Sequence, residues 1–236
     1  KSLIQLSWEA ACKVRNVEHI VVATDDERIR TEAESFGAKV VMTSKKCRNG
    51  TERCAEALKN INFNGDLIVN LQGDAPLTPE WFVEDLIETF KKDPDTQMAT
   101  PVLRLDKESL NSFRLDRNSG RVGGTTVVFD NNNNALYFSK EIIPFFDEKR
   151  LMQEEVYPIF HHVGVYAYRP EILSKYHTWK ESDLEALEGL EQLRFLENRC
   201  SIKCVLVDSK GRTFWELNNP EDVMKIEKSI RKILTT

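Results

Sequence analysis

No apolar run in this 236-residue chain approaches the roughly 18–20 residues that a membrane-spanning helix needs; the longest runs are strand-sized. Lys1 to Glu9 also lacks the apolar core of a secretory signal. No Lys/Arg run is long enough to track a phosphate backbone, and 33 basic against 38 acidic residues leave a net charge of −5. The sequence therefore points away from membranes, and from nucleic acid as a main partner. Glycine and proline number only 10 and 8, which excludes collagen-like and low-complexity chains. GxGxxG and GxxxxGK[ST] are both missing, against dinucleotide oxidoreductases and P-loop NTPases. No Ser or Cys sits at a recognisable nucleophile elbow, so covalent catalysis has no support. Cys12, Cys47, Cys54, Cys200 and Cys204 are an odd set without paired spacing, the pattern of reduced thiols in a cytosolic protein. Cys200 and Cys204 have no His nearby, which makes a poor zinc motif.

What is present suffices for a core, with 41% apolar and 30% charged residues. The length suits one large domain, taken as 1–236. Leu3, Leu6 and Ala10 define a helix face, and Glu18 to Ala23 reads as a short apolar strand. Asp26 to Phe36 is helical and ends at Gly37; Val40 to Met42 is a strand, Thr51 to Ile61 a helix, and Leu67 to Leu71 a buried strand. Thr78 is placed to N-cap a helix with Pro79 in its first turn, and Met98 to Leu103 is a further strand. Helices alternating with strands that are apolar on both faces predict an α/β fold, a Rossmann-like, mainly parallel sheet flanked by helices.

After residue 105 the pattern changes. Thr126 to Phe129, Ala135 to Phe138 and Val163 to Tyr168 read as strands joined by turns, so residues of about 120–180 are expected to form an antiparallel insertion. Ser182 and Glu185 form a capping box opening a helix with Leu184, Leu187, Leu190 and Leu193. Lys203 to Val207 is a strand, and Asn219-Pro220-Glu221-Asp222 starts a last helix.

Ligands of open parallel sheets sit beyond the carboxyl ends of the strands. Thr24-Asp25-Asp26 and Gln72-Gly73-Asp74 occupy such places. A carboxylate like Asp74 suits magnesium held against substrate phosphates, and equally suits capping a turn. Gly50-Thr51-Glu52-Arg53 enters a helix, where backbone N–H groups favour an anion or a polar base edge, or simply a cap. His161-His162 opens a strand, as ligand or as packed residue.

Several ordered segments resemble the 3-deoxy-manno-octulosonate cytidylyltransferase (CMP-KDO synthetase) family. They are Val22-Ala23-Thr24-Asp25-Asp26, Gly50-Thr51-Glu52-Arg53, Val69-Asn70-Leu71-Gln72-Gly73-Asp74, Ala135-Leu136-Tyr137-Phe138-Ser139, His162 to Arg169, Leu190-Glu191-Gln192-Leu193-Arg194 and Pro220-Glu221-Asp222. The resemblance spans nearly the whole chain. It implies a nucleotidyltransferase that joins CTP to KDO or a related acidic sugar, releasing pyrophosphate, for lipopolysaccharide or cell-surface polysaccharide synthesis. By the same resemblance Thr24, Asp25, Gly50, Arg53 and Gln72 would bind the nucleotide, and His162, Tyr166, Glu191 and Gln192 the sugar. Asp74 would act at the reacting phosphate as a ligand of Mg²⁺, with Asn218 where a second metal-binding Asp is usual. It further implies a cytoplasmic homodimer assembled through the second half. Other departures are Asn49, Ala75, Thr126 and Lys140. They leave two alternatives open, a different acid acceptor (a sialic-like sugar or a phosphonate) and a catalytically impaired nucleotide-binding homologue. The family's opening strand and basic phosphate loop have no counterpart here, and an N-terminal stretch before Lys1 is expected in the natural protein.

Overall fold

Side-chain caps start most of the helices within a residue or two of where the sequence places them. In the computed structural model, which describes residues 1–122, 124–147, 157–212, 223–224 and 226–227, the elements run in the following order. They are α1 (Leu3–Ala11), β1 (Val21–Thr24), α2 (Glu27–Ser35), β2 (Lys39–Met42), α3 (Gly50–Asn60), β3 (Ile68–Leu71), α4 (Glu80–Lys92), β4 (Met98–Arg104) and α5 (Lys107–Asn118). There follow β5 (Thr125–Phe129), β6 (Ala135–Ser139), β7 (Phe160–His162), β8 (Val165–Tyr168), α6 (Pro170–Tyr176), α7 (Asp183–Glu188), α8 (Leu193–Glu197) and β9 (Ile202–Leu206). Ser2, Asp26, Asn49, Asp106 and Ser182 each accept a backbone N–H of the helix they open. The final helix proposed from Asn219 falls outside the described residues.

The fold is α/β, as the alternation of elements indicated. β1 and β2 pair in parallel, as do β4 and β9. β3 and β4 each lie antiparallel to β8, and therefore run in the same direction as one another. The antiparallel strands β6, β7 and β8 come from the second half. What the sequence reading missed is that β8 inserts between β3 and β4, inside the parallel frame. Tyr166 and Tyr168 of β8 pack with Met98 and Val102 of β4 on one face of the sheet. Val165 and Ala167 pack with Phe82, Val83 and Leu86 of α4 on the other. Burial of both faces is why these strands read as continuous apolar runs.

Three local expectations are corrected. Val163 to Tyr168 is not one strand: the pairing breaks at Val163-Gly164, and β7 leaves β4 toward β5 while β8 continues toward β3. The Thr100 hydroxyl reaches the carbonyls of Val163 (3.1 Å) and Val165 (2.8 Å) and holds the break. The leucine-bearing helix after Ser182 stops at Glu188, because Gly189 adopts the left-handed conformation (φ 62°) that ends helices. Leu190 thus lies in a turn and Leu193 opens a new helix, while Leu187 faces solvent. Thr78 does not cap α4; its hydroxyl donates to the Ala75 carbonyl, and Pro79 takes the cap position. The sequence reading also omitted α5 and α6.

Candidate active site

The start of α3 is where the site is assembled. Asn49 accepts from the Glu52 N–H (2.8 Å) and donates through Nδ2 to the Tyr176 hydroxyl (3.1 Å). The Thr51 N–H, one of the first-turn donors that no helical carbonyl satisfies, instead meets Glu191 Oε2 at 2.8 Å. Gln72 Nε2, at the end of β3, donates to the other oxygen of Glu191 at 3.0 Å. Glu191 stands in the turn between α7 and α8 that Gly189 creates. Burial pushes its carboxyl above the ordinary range, and the Thr51 bonds only partly oppose that.

On the same sheet face, the Tyr166 hydroxyl donates to Gln192 Oε1 at 3.1 Å. His162 packs edge-on against Phe138 and tilted against Tyr166, with ring centroids 5.0 and 5.4 Å apart. Among the described residues, three buried nitrogens here have no hydrogen-bond partner: His162 Nε2, Gln192 Nε2 and Asn70 Nδ2. Such orphans are uncommon in folded proteins and cost stability unless a ligand or water meets them. Burial, and secondarily the neighbouring His161, pushes the His162 pKa down to about 3; burial alone pushes His161 to about 4. Both rings are neutral at physiological pH.

A second cluster lies one helical turn along α3. Arg53 pairs with Asp25 (2.9 Å) and donates to the Thr43 hydroxyl (2.7 Å). Thr24, buried at the end of β1, accepts the Asp26 N–H. Gly50 and Arg53, both on α3, link the two clusters. Asp74 stands apart on the loop after β3, half-buried, its carboxyl pushed up by desolvation. No ion pair reaches it among the described residues. Among those residues no group of three or more His, Cys, Asp or Glu is placed to hold a metal, so Asp74 is a lone carboxylate there. Asn218 falls outside the described residues. All five cysteines are free, and burial or acidic neighbours raise the pKa of each.

The sequence reading passed over the residues that hold these pieces together. Arg194, 1% exposed, makes two bonds to Glu185 (2.6 and 2.5 Å) and one to Glu52 (3.2 Å), with its guanidinium 4.1 Å from the Tyr176 ring centre. Burial alone would lift the Glu52 carboxyl, but its bonds to Arg48 and Arg194 hold it below the ordinary range. Arg194 and Glu52 both belong to segments carrying the family resemblance. What their letters do not show is that they meet.

A family model described as Cytidylyltransferase matches residues 1–203. The chain belongs to the cytidylyltransferase family. It is 42% identical over 225 residues, 95% of this chain and 85% of the relative, to the 3-deoxy-manno-octulosonate cytidylyltransferase of Maricaulis maris. It is 40% identical over 232 residues, 98% and 88% of the two chains, to the 8-amino-3,8-dideoxy-manno-octulosonate cytidylyltransferase of a Shewanella strain. Its fold matches a solved CMP:2-keto-3-deoxy-manno-octonic acid synthetase complexed with CTP, with a TM-score of 0.81, 29% identity, and coverage of 98% and 88%. The resemblance read from the motifs is therefore correct.

Two outcomes follow for this cytidylyltransferase. Replacing Arg194 by Met leaves the buried Glu185 carboxylate without its cation and Glu52 with Arg48 alone, and denaturant titration should show a loss of about 3–5 kcal/mol. Both His161 and His162 have folded pKa values below the unfolded value, so their contribution is complete above pH ~6.5 and lost as acidification forces protonation. Urea unfolding at several pH values should show stability falling from pH ~6.5 downward. His162→Gln should make that fall shallower.

Proposed function

We propose that this cytidylyltransferase joins CTP to KDO, giving CMP-KDO and pyrophosphate for cell-surface polysaccharide synthesis. The anomeric hydroxyl of the sugar attacks the α-phosphorus in line and pyrophosphate departs. The observation that carries this reading is the row of unpartnered buried polar atoms beside Glu191. A ligand rich in hydroxyls meets each of them, whereas an apolar ligand would leave several unpaired, at about 1–3 kcal/mol each.

In this reading His162, Tyr166, Glu191 and Gln192 hold the sugar acid. Neutral His162 presents an unprotonated ring nitrogen or a single N–H without adding charge. Thr24, Asp25, Gly50, Arg53 and Gln72 lie along the nucleotide, with Arg53 kept extended by Asp25 and Thr43. Mg²⁺ usually retains only one or two protein carboxylates beside substrate phosphates, and a half-buried, unpaired Asp74 fits that role. By the family resemblance, Asn218 would offer a second, neutral oxygen. When bound, the ion neutralises charge on the phosphate oxygens as the leaving group departs. Asp74, partly desolvated at the end of β3, would hold the ion there.

The antiparallel subregion of about residues 120–180 forms the sugar side of the site and the contact of a homodimer. Exposed Leu136 on edge strand β6 supports that contact, which would extend past the subregion to Leu184 and Leu187 beside an open groove of about 430 Å³. The protein works in the cytoplasm, where CTP is available; among the described residues no helix is long and apolar enough to cross a membrane. The Shewanella relative favours one second reading, an 8-amino analogue as acceptor.

The test is pyrophosphate release with CTP, Mg²⁺ and each sugar acid. Release should require all three components, with KDO the better acceptor; none above background would reject the assignment, and preference for the amino sugar would favour the second reading. Asp74 is ionised at a desolvated site, which destabilises the metal-free fold above the unfolded pKa. Asp74→Asn should therefore raise the melting temperature without Mg²⁺ while removing Mg²⁺-dependent turnover. Unchanged turnover would place the metal elsewhere.

A further inference from the structure

Asn70 shares the face of the sheet on which the sugar-binding candidates lie, and its amide is one of the three unpartnered nitrogens there. It is the third residue of β3, directly opposite Tyr166 of β8 and two residues before Gln72, so it shares their face of the sheet. The residue is 5% exposed, yet Nδ2 has no hydrogen-bond partner among the described residues. Above it runs the first residue of α3, a glycine. A methyl group added at Gly50 would come within 3.1 Å of Asn70 Nδ2 and 3.2 Å of Gln72 Nε2. The missing side chain therefore lets the start of α3 pass close over two amide nitrogens. One of them, Gln72 Nε2, already donates to Glu191.

Burying an amide without a partner destabilises the free protein, whereas an apolar residue of the same shape would not. A donor held in that condition on the face of the sheet that carries Tyr166 and Gln72 is suited to an oxygen brought by a ligand. The surroundings restrict which oxygen. Glu191 is bonded to the neighbouring Gln72 amide and has no cation paired to it among the described residues, so a phosphate or carboxylate oxygen would be repelled. A hydroxyl suits both neighbours, accepting from Asn70 and donating toward Glu191.

We infer that Asn70 is a specificity-determining residue whose side-chain amide reads one sugar hydroxyl beside the start of α3. Two ligands carry such hydroxyls, the ribose of the nucleotide and the acceptor sugar. The inference rests on the proposed reaction only for which of these is present.

The test uses Asn70→Leu, with Asn70→Ala as a second variant, compared with the wild type by melting temperature and steady-state kinetics. Asn70→Leu should melt at or above the wild-type temperature, since it removes an orphaned amide. A residue with an ordinary structural hydrogen bond would instead lose stability on this change. The variants should raise one KM about tenfold, the scale of one lost neutral hydrogen bond, and leave the other KM unchanged. A change confined to the acceptor KM identifies the acceptor hydroxyl. A change confined to the CTP KM, matched by an equal loss when wild type is given 2′-deoxy-CTP, identifies the ribose. Wild-type values of both KM in stable variants would overturn the inference. Absence of turnover in the wild type would instead overturn the proposed reaction; isothermal titration of wild type and Asn70→Leu with CTP and with KDO separately then decides, and equal affinities overturn the inference.

Discussion

A single buried guanidinium holds the site in register. Arg194 lies between Glu185 and Glu52, each three residues past the cap of its helix. Taking three charges out of water is costly, and the attraction between them repays it only with close, nearly saturated hydrogen bonding. Arg194 has that geometry, with Tyr176 stacked beneath it. The consequence is positional. Because the first turns of α3 and α7 are tied to one side chain, the Thr51 N–H and the Glu191 carboxylate arrive within hydrogen-bonding distance from 140 residues apart in sequence. Tyr176 extends the same tie by joining Asn49, Glu185 and the Glu191 carbonyl.

Two interruptions of regular structure then place the groups proposed to meet the ligand. At Gly164 the strand breaks, so one segment offers His162 beside β5 and Tyr166 beside β3. At Gly189 the helix breaks, so Glu191 and Gln192 stand in a turn whose amides and carboxylate remain available. In an unbroken helix the two would project about 100° apart and one would face solvent. The price is several unpaired buried polar atoms, and they concentrate where the ligands would sit. The fold tolerates them because the flanking layers are well packed, with Phe82, Tyr168 and Phe195 fully buried on either side of the sheet.

Much of this was legible in the residues themselves. Caps at Asp26 and Ser182 reported helix starts because their hydrogen bonds are local. Apolar runs such as Ile68 to Leu71 reported doubly covered strands. Asp74 and Gln72 could be placed beyond a strand end by counting alone. The leucines after Ser182 misled, since their spacing suits a helix while Gly189 ends it; the glycine between Glu188 and Leu190 carried the correction. Thr78 misled because its hydroxyl had a nearer carbonyl to satisfy.

By itself, the sequence determined the α/β alternation, the helix starts and the kinds of chemistry present, because each depends on neighbours a few residues away. The tertiary structure alone decided that β8 enters the parallel frame, that Arg194 pairs with Glu52 as well as Glu185, and that Asn70 Nδ2 is left without a partner among the described residues. Those facts depend on which distant groups meet in a space from which water is excluded, and hydrogen-bond satisfaction there is a property of the whole packed sheet.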